Sequence, residues 1–337
     1  MPDALRILAI RFSSIGDILL TTPLLRAIRA RHPSAYLALL TKAPFTPLVA
    51  DNPRLNAVIA YGRDQPLDDL AKSLRETQFS HILDLHGSLR SRALRFLVPA
   101  DWSRYRNHRV AREFLIRTKR NVYPRDIPVP ERYFDAAKKL DVQPDGEPPE
   151  FFLSDLATRE AAAWVTNTGL PADRGLVALA PGAAHTTKRW PLEYWEDLAL
   201  RLSQAGFAVV TVGGPEDTPA GEQVAAAAGR LGANAAGHFG LQGTGAVLAR
   251  CQTLVSGDTG VMHMATGVGT PVVALFGPTV RPFGFFPYSR KAIVVERDLD
   301  CRPCTAHGSE QCPLGHHRCL RDIAPAEVEE IVRRVVA

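Results

Sequence analysis

The feature that most restricts how this chain folds is a repeated unit: a short apolar run, a turn of small polar residues, then an amphipathic helix. Residues 5–11 form the first run, which ends in Phe12-Ser13-Ser14-Ile15-Gly16-Asp17 and enters a helical pattern over 18–31 with Leu20, Leu24, Leu25 and Ile28 at core spacing. Strand-like runs return at 36–40, 57–60 and 81–85, with helical stretches between them. A second series places runs at 176–180, 208–212, 253–256 and 272–276 among helical patterns at 153–167, 193–205, 221–231, 244–250 and 261–267. Alternation of this kind builds parallel sheets with helices on their faces, so the fold class is α/β. At 337 residues the chain exceeds one ordinary domain. Its densest Pro, Gly and acidic stretch, Q-P-D-G-E-P-P at 143–149, marks a linker. Two α/β domains, 1–150 and 151–324, are expected, and no short-period repeat is present.

Several function classes fall away at this level. No apolar run is long enough to span a membrane, and the start of the chain runs directly into a strand without the plan of a leader peptide, so a cytoplasmic location is expected. Gly16 belongs to neither a G-x-G-x-x-G fingerprint nor a P-loop, which argues against a dehydrogenase or a P-loop NTPase. The net charge of +5 is unevenly distributed: residues 88–140 hold 14 Lys or Arg against 5 Asp or Glu. Interleaved with Trp102, Tyr105, Phe114 and Leu115, this stretch suits anionic lipid or a polyanionic sugar, unless it is simply a solvated face. It lacks the regular aromatic platform of a single-strand nucleic-acid binder, so no nucleic-acid partner is expected.

Chemistry collects where strands end. Residues 256–279 combine a polar turn, a short helix, a Gly-Pro break and a strand, and the turn puts backbone N–H groups at a helix start where an anion is favoured. A simple cap by Asp258 or Thr259 is the competing reading. Three further strand ends carry P-G-A-A-H-T-T-K-R-W at 181–190, G-G-P-E-D at 213–217 and Gly277-Pro278-Thr279; in a parallel sheet all four share one edge. Thr186, Thr187, Lys188 and the donors at Gly260 would then hold a diphosphate, and Glu216 would accept from ribose hydroxyls. His263 is either a packed helix residue or part of that site. Asp17, at the end of the first strand, is either a helix cap or a carboxylate facing a ligand.

S-S-I-G-D-I-L-L-T-T-P at 13–23, D-L-H-G-S-L-R-S at 84–91, P-G-A at 181–183, K-R-W-P at 188–191 and D-T-G-x-x-H-M-A at 258–265 together resemble glycosyltransferase family 9, the bacterial ADP-heptose:lipopolysaccharide heptosyltransferases. The resemblance runs over nearly the whole chain in order. It implies a GT-B fold, two Rossmann-like domains with parallel sheets facing across a cleft, the acceptor on the first, the nucleotide sugar on the second, and the last helix, within 325–337, packing back on the first. It implies Asp17 as catalytic base, and Thr186, Thr187, Lys188, Glu216, Asp258, Thr259, Gly260 and His263 around the donor nucleotide. Ser14, Gly16, His86, Arg90 and Arg92 would meet the acceptor, a lipopolysaccharide inner core of Kdo or heptose on lipid A, at the inner-membrane surface. The activity implied is inverting transfer of heptose from ADP-L-glycero-D-manno-heptose. A GT-B nucleotide-sugar 2-epimerase, or a transferase of another sugar to a cell-surface glycan, is the alternative, and a two-domain solute-binding protein the non-enzymatic one. No catalytic metal is expected, because lysine and a helix terminus already face the diphosphate.

One segment departs from the best-known members. Cys301, Cys304, Cys312 and Cys319, in C-R-P-C-T-A-H-G-S-E-Q-C-P-L-G-H-H-R-C-L, put four thiols within 19 residues. A structural Zn or Fe site, with His307, His316 or His317 as substitute ligands, stands beside free thiols or a labile disulfide.

Overall fold

The apolar runs form the centres of two parallel sheets. The structure, a computed structural model, describes residues 5–337; Met1-Pro2-Asp3-Ala4, the start of the chain read above, lies outside them. In the first unit, β1 (Arg6–Ile10), β2 (Tyr36–Lys42), β3 (Ala57–Tyr61), β4 (His81–Asp84) and β5 (Asp101–Arg104) make a sheet of order β3-β2-β1-β4-β5. Ile7 of β1 pairs with both Leu37 and His81, so β1 is central, and burial on both faces explains why it reads as a continuous apolar run. In the second unit, β6 (Leu176–Ala180), β7 (Ala208–Thr211), β8 (Gly232–Asn234), β9 (Thr253–Gly257), β10 (Val272–Phe276) and β11 (Ala292–Glu296) make a sheet of order β11-β10-β9-β6-β7-β8. All strand pairs are parallel.

The helices, in chain order, are α1 (Ile15–Leu19), α2 (Thr22–Arg31), α3 (Leu67–Thr77), α4 (Leu89–Leu97), α5 (Arg109–Thr118), α6 (Val129–Arg132), α7 (Asp155–Asn167), α8 (Leu192–Gln204), α9 (Thr218–Ala227), α10 (Leu241–Leu248), α11 (Gly260–Gly267), α12 (Arg318–Arg321) and α13 (Pro325–Val336). The helix expected over 18–31 is two helices, because Pro23 restarts the chain at the second position of α2 and removes a backbone donor there. The one expected over 153–167 starts at Asp155, where Ser154 accepts from the Ala157 N–H at 3.1 Å.

The division into units is more interleaved than a single cut near residue 150. One unit runs to Asn107 and resumes at Ile127–Phe152; the other takes His108–Asp126 together with Leu153–Ala337. The 143–149 stretch is not slack: Arg26 holds Asp145 at 2.7 Å and the Pro148 carbonyl at 3.0 Å. α13, the last helix, belongs to the second unit. Its Val328, Ile331 and Val332 join the core that Val255 of β9, Val273 of β10 and Leu198 of α8 make in the second unit. Among the described residues no helix is long and apolar enough to cross a membrane.

Candidate active site

In the first unit the end of β1 meets the end of β4 around Asp17. Ser14 is the N-cap of α1 and Asp17 its third residue, and the Asp17 Oδ2 accepts from the Ser14 N–H at 3.2 Å and its hydroxyl at 3.0 Å. Its other oxygen lies 2.5 Å from Arg11. Arg11 is buried, and its remaining donors reach the Ser13 and Leu85 carbonyls at 2.9 and 2.5 Å. Asp17 is therefore both a cap and the partially exposed half of an ion pair with the buried Arg11. Burial pushes its carboxyl up, but the Arg11 guanidinium and the Ser14 donors outweigh that and hold it below its usual value. The Tyr133 hydroxyl donates to the Asp17 carbonyl at 3.4 Å, and burial pushes that phenol well above its usual range.

The acceptor candidates surround this pair unequally. His86 stands edge-on to Phe12 with ring centroids 5.3 Å apart; burial, then the charge on Arg11, push its imidazole down to about 4, so it is neutral at pH 7. Its Nδ1 is buried with no partner among the described residues. Asp84 shapes the turn there, accepting from the His86 and Gly87 N–H groups at 3.0 and 2.8 Å and from the Ser91 hydroxyl at 2.9 Å. Arg90 is 5.1 Å from the Tyr61 ring centroid and, like Arg92, is exposed; Gly16 is buried inside α1.

In the second unit the four loops predicted to converge follow β10, β9, β6 and β7, four consecutive strands of one sheet. Lys188 Nζ lies 2.6 Å from Asp258 Oδ2, and Thr279 donates to the same oxygen at 2.7 Å. The loops after β6, β9 and β10 are thereby tied together. A Cβ at Gly182 would stand 2.0 Å from an Asp217 oxygen, so the P-G-A glycine is what lets the loop after β7 close on them. Thr259 is the N-cap of α11, yet no side chain caps the helix; the Thr259 hydroxyl is 3.1 Å from that of Ser256 instead. The first-turn N–H groups of α11, beginning at Gly260, thus carry the helix's positive end beside Lys188.

Residues 68–315 match the model of glycosyltransferase family 9 (heptosyltransferase). The chain belongs to that family. The match starts beyond Asp17 and includes all of the Lys188 and α11 constellation. Lipopolysaccharide heptosyltransferase 2 of Salmonella typhimurium is 27% identical over 97% of both chains. Among solved structures, the ADP-heptose lps heptosyltransferase II of E. coli is similar at a TM-score of 0.77, 27% identity and 98% coverage of both chains. The glycosyltransferase family 9 protein of Veillonella parvula is similar at a TM-score of 0.83 and 22% identity, covering 100% of this chain and 98% of that one. The two-unit α/β architecture is that of GT-B heptosyltransferases, and the protein is a glycosyltransferase.

Not every donor candidate of this family 9 chain is placed for a ligand. Thr187 is buried; its hydroxyl donates to the Ser309 carbonyl at 2.9 Å and accepts from the Ser309 N–H at 2.8 Å, so it fastens the Cys-bearing loop. Thr186 is exposed and reaches Glu310 at 3.1 Å. Asp258 is engaged by Lys188 and Thr279 and so anchors the lysine. Glu216 is exposed in the turn after β7, and His263 is buried in α11. The only D-x-D triplet, Asp298-Leu299-Asp300, is exposed beyond the edge strand β11.

The candidate metal ligands Cys301, Cys304, Cys312 and Cys319 lie near enough for their charges to act on one another. Among the described residues no group of three or more His, Cys, Asp or Glu is arranged to hold a metal ion, and all five cysteines are free thiols. Cys319 is drawn into the core with Leu320 and Ile323, and the Cys304 thiol donates to the Cys301 carbonyl at 3.2 Å. His317 reaches the Thr187 carbonyl at 2.9 Å, and His316 Nδ1 accepts from the Arg318 N–H at 3.0 Å. Two arginines were not anticipated: Arg11, and Arg302 inside the C-x-x-C turn, which donates to the Gly277 and Thr279 carbonyls at 2.5 and 2.7 Å and so braces the loop after β10. A cation at the end of an apolar strand, or inside a tight turn, is the signal that was available for them.

Proposed function

We propose that this glycosyltransferase moves heptose from ADP-L-glycero-D-manno-heptose to the inner core of lipopolysaccharide, with inversion, at the cytoplasmic face of the inner membrane. The observation that carries the reading is the start of α11, which no side chain caps and beside which Lys188 is held by Asp258. A leaving diphosphate gains negative charge as its bond to the sugar breaks, and backbone donors with a fixed ammonium are what stabilises that charge. In the first unit Asp17 is kept anionic by Arg11. It accepts the proton of the acceptor hydroxyl while that oxygen forms its bond to the anomeric carbon and ADP departs with the bonding electrons. Glu216 takes the ribose hydroxyls. Ser14, Gly16, His86 and Arg90 line the acceptor side, Arg90 meeting phosphate or the carboxylates of Kdo. No divalent ion takes part in the step.

The test is incubation with ADP-heptose and a heptose-deficient lipid A core, read by mass spectrometry, with and without EDTA. One heptose is added in both cases, and Asp17→Asn lowers turnover by about 10²–10⁴-fold while ADP affinity stays within about twofold. Tight ADP binding without transfer would assign another sugar or acceptor. Loss of ADP affinity in Asp17→Asn would make Asp17 structural, and loss of transfer in EDTA would refute the metal-free step.

A further inference from the structure

Two turns of α4 present large apolar side chains to solvent. Leu89 is 83% exposed and Phe96 89%. Seven residues apart, they lie within roughly 20° of each other around the helix and about 10 Å apart along it, so they form one stripe. Ser91 and Leu94, the buried residues of α4, lie on its other side, so the stripe points away from the unit's core. α4 carries Arg90, Arg92 and Arg95 and no acidic residue; Arg90 turns to the Tyr61 ring, and Arg92 and Arg95 stay exposed beside the stripe.

Scattered exposed hydrophobics are ordinary on a soluble protein, but these are not scattered. Leu89 and Phe96 share one helix of the first unit and fall within residues 88–140. That is the interval in which the chain's positive charge is concentrated. Apolar side chains framed by cations suit the boundary of an anionic bilayer, where the rings and branched chains enter among acyl chains and the guanidinium groups rest at the phosphates. A second copy of the chain fits less well, because apposing two α4 faces would bring like charges together.

We propose that the outward face of α4 docks on an anionic bilayer, with Leu89 and Phe96 inserted and Arg92 and Arg95 on lipid phosphates. This deepens the reading of a lipid-borne acceptor and rests on it for its purpose, but its test does not depend on catalysis. Full-length protein is sedimented with vesicles of phosphatidylcholine alone or mixed with phosphatidylglycerol. The protein binds only the anionic vesicles, and added salt weakens binding. The double variant Leu89→Ser with Phe96→Ser lowers the partition coefficient at least about tenfold. Arg95→Glu lowers it as well. Melting temperatures stay at the parent value, and transfer to a water-soluble, deacylated acceptor is unchanged in the double variant. Equal binding by the double variant, equal binding to neutral vesicles, or no binding by the parent would each overturn the proposal. So would a parent dimer in solution that becomes monomeric in the double variant, which would make the face a subunit interface. Absence of transfer to the soluble acceptor in every variant would count against the assigned reaction and leave the sedimentation result standing.

Discussion

At the scale of single residues, the Arg11–Asp17 pair sets what the first unit can do. Burial without a partner would raise an Asp carboxyl; the guanidinium 2.5 Å away reverses that. Asp17 folds with a lowered value, so its contribution to stability is complete above the ordinary Asp range and disappears only as pH falls through the lower, folded value. In the proposed reaction the same shift sets the acid limb of the rate profile. In Arg11→Gln the carboxyl rises, so the acid limb of kcat/KM moves to higher pH, and Arg11→Lys restores part of the shift. Rate profiles on variants with parental melting temperatures are the measurement, and an acid limb that stays in place would show that Asp17 is not the titrating base. Asp17 stood out in the sequence as a carboxylate after an apolar strand, and its capping of α1 was one of the two readings given there. Its partner did not stand out, because the sequence does not reveal which way an arginine at a strand end turns. Thr187 and Asp258 show the converse limit. Small polar residues at a strand end look the same whether they face a ligand or, as here, brace a loop and a lysine.

At the scale of elements, the strands inside each sheet were readable as apolar runs, and of the four edge strands only β3 was. β5 (D-W-S-R) and β8 (G-A-N) carry too few apolar side chains to form a run, and no α-helix separates β11 from β10, so the alternation that locates the others passes it by. The 301–319 loop was legible as a unit, but its chemistry was not. The spacing of four cysteines fits a metal site, free thiols or a labile disulfide alike; the fold buries Cys319 in the core and has Cys304 donate to the chain's own backbone. Burial, followed by the charge of the neighbouring thiols, pushes Cys304 and Cys319 up to about 11, so at pH 8 only roughly one in a thousand of either is thiolate. Iodoacetamide labelling read site by site should therefore modify both at least about tenfold more slowly than a cysteine peptide at pH 8, and faster as pH rises toward 10. Peptide-like rates at pH 8, or stoichiometric metal in protein purified without chelators, would show that the loop is arranged differently.

At the scale of the whole molecule, two α/β units were legible from the two series of strands, but not the way the chain is shared between them. His108–Asp126 leaves the first unit and joins the second, where Lys119 donates to the Pro303 carbonyl at 2.6 Å and so fastens the α5 segment to the Cys-bearing loop. Such exchange depends on contacts between distant residues, which composition and periodicity do not encode. The donor constellation, by contrast, lies wholly within the second unit: Lys188, Gly182, Asp217, Asp258, Thr279 and the start of α11 all belong to it. A ligand that binds only the folded site stabilises the structure holding that site, by about 2.7 kcal/mol at a hundred times its dissociation constant. Hydrogen exchange in saturating ADP should therefore slow at β6, β9, β10 and the first turn of α11, with β1, β2 and β4 unchanged. Lys188→Ala should shrink the effect and Asp17→Asn should keep it, because only the lysine belongs to the diphosphate seat. Protection that instead appears at β1 and β4, or that survives Lys188→Ala undiminished, would place the nucleotide somewhere other than the α11 terminus.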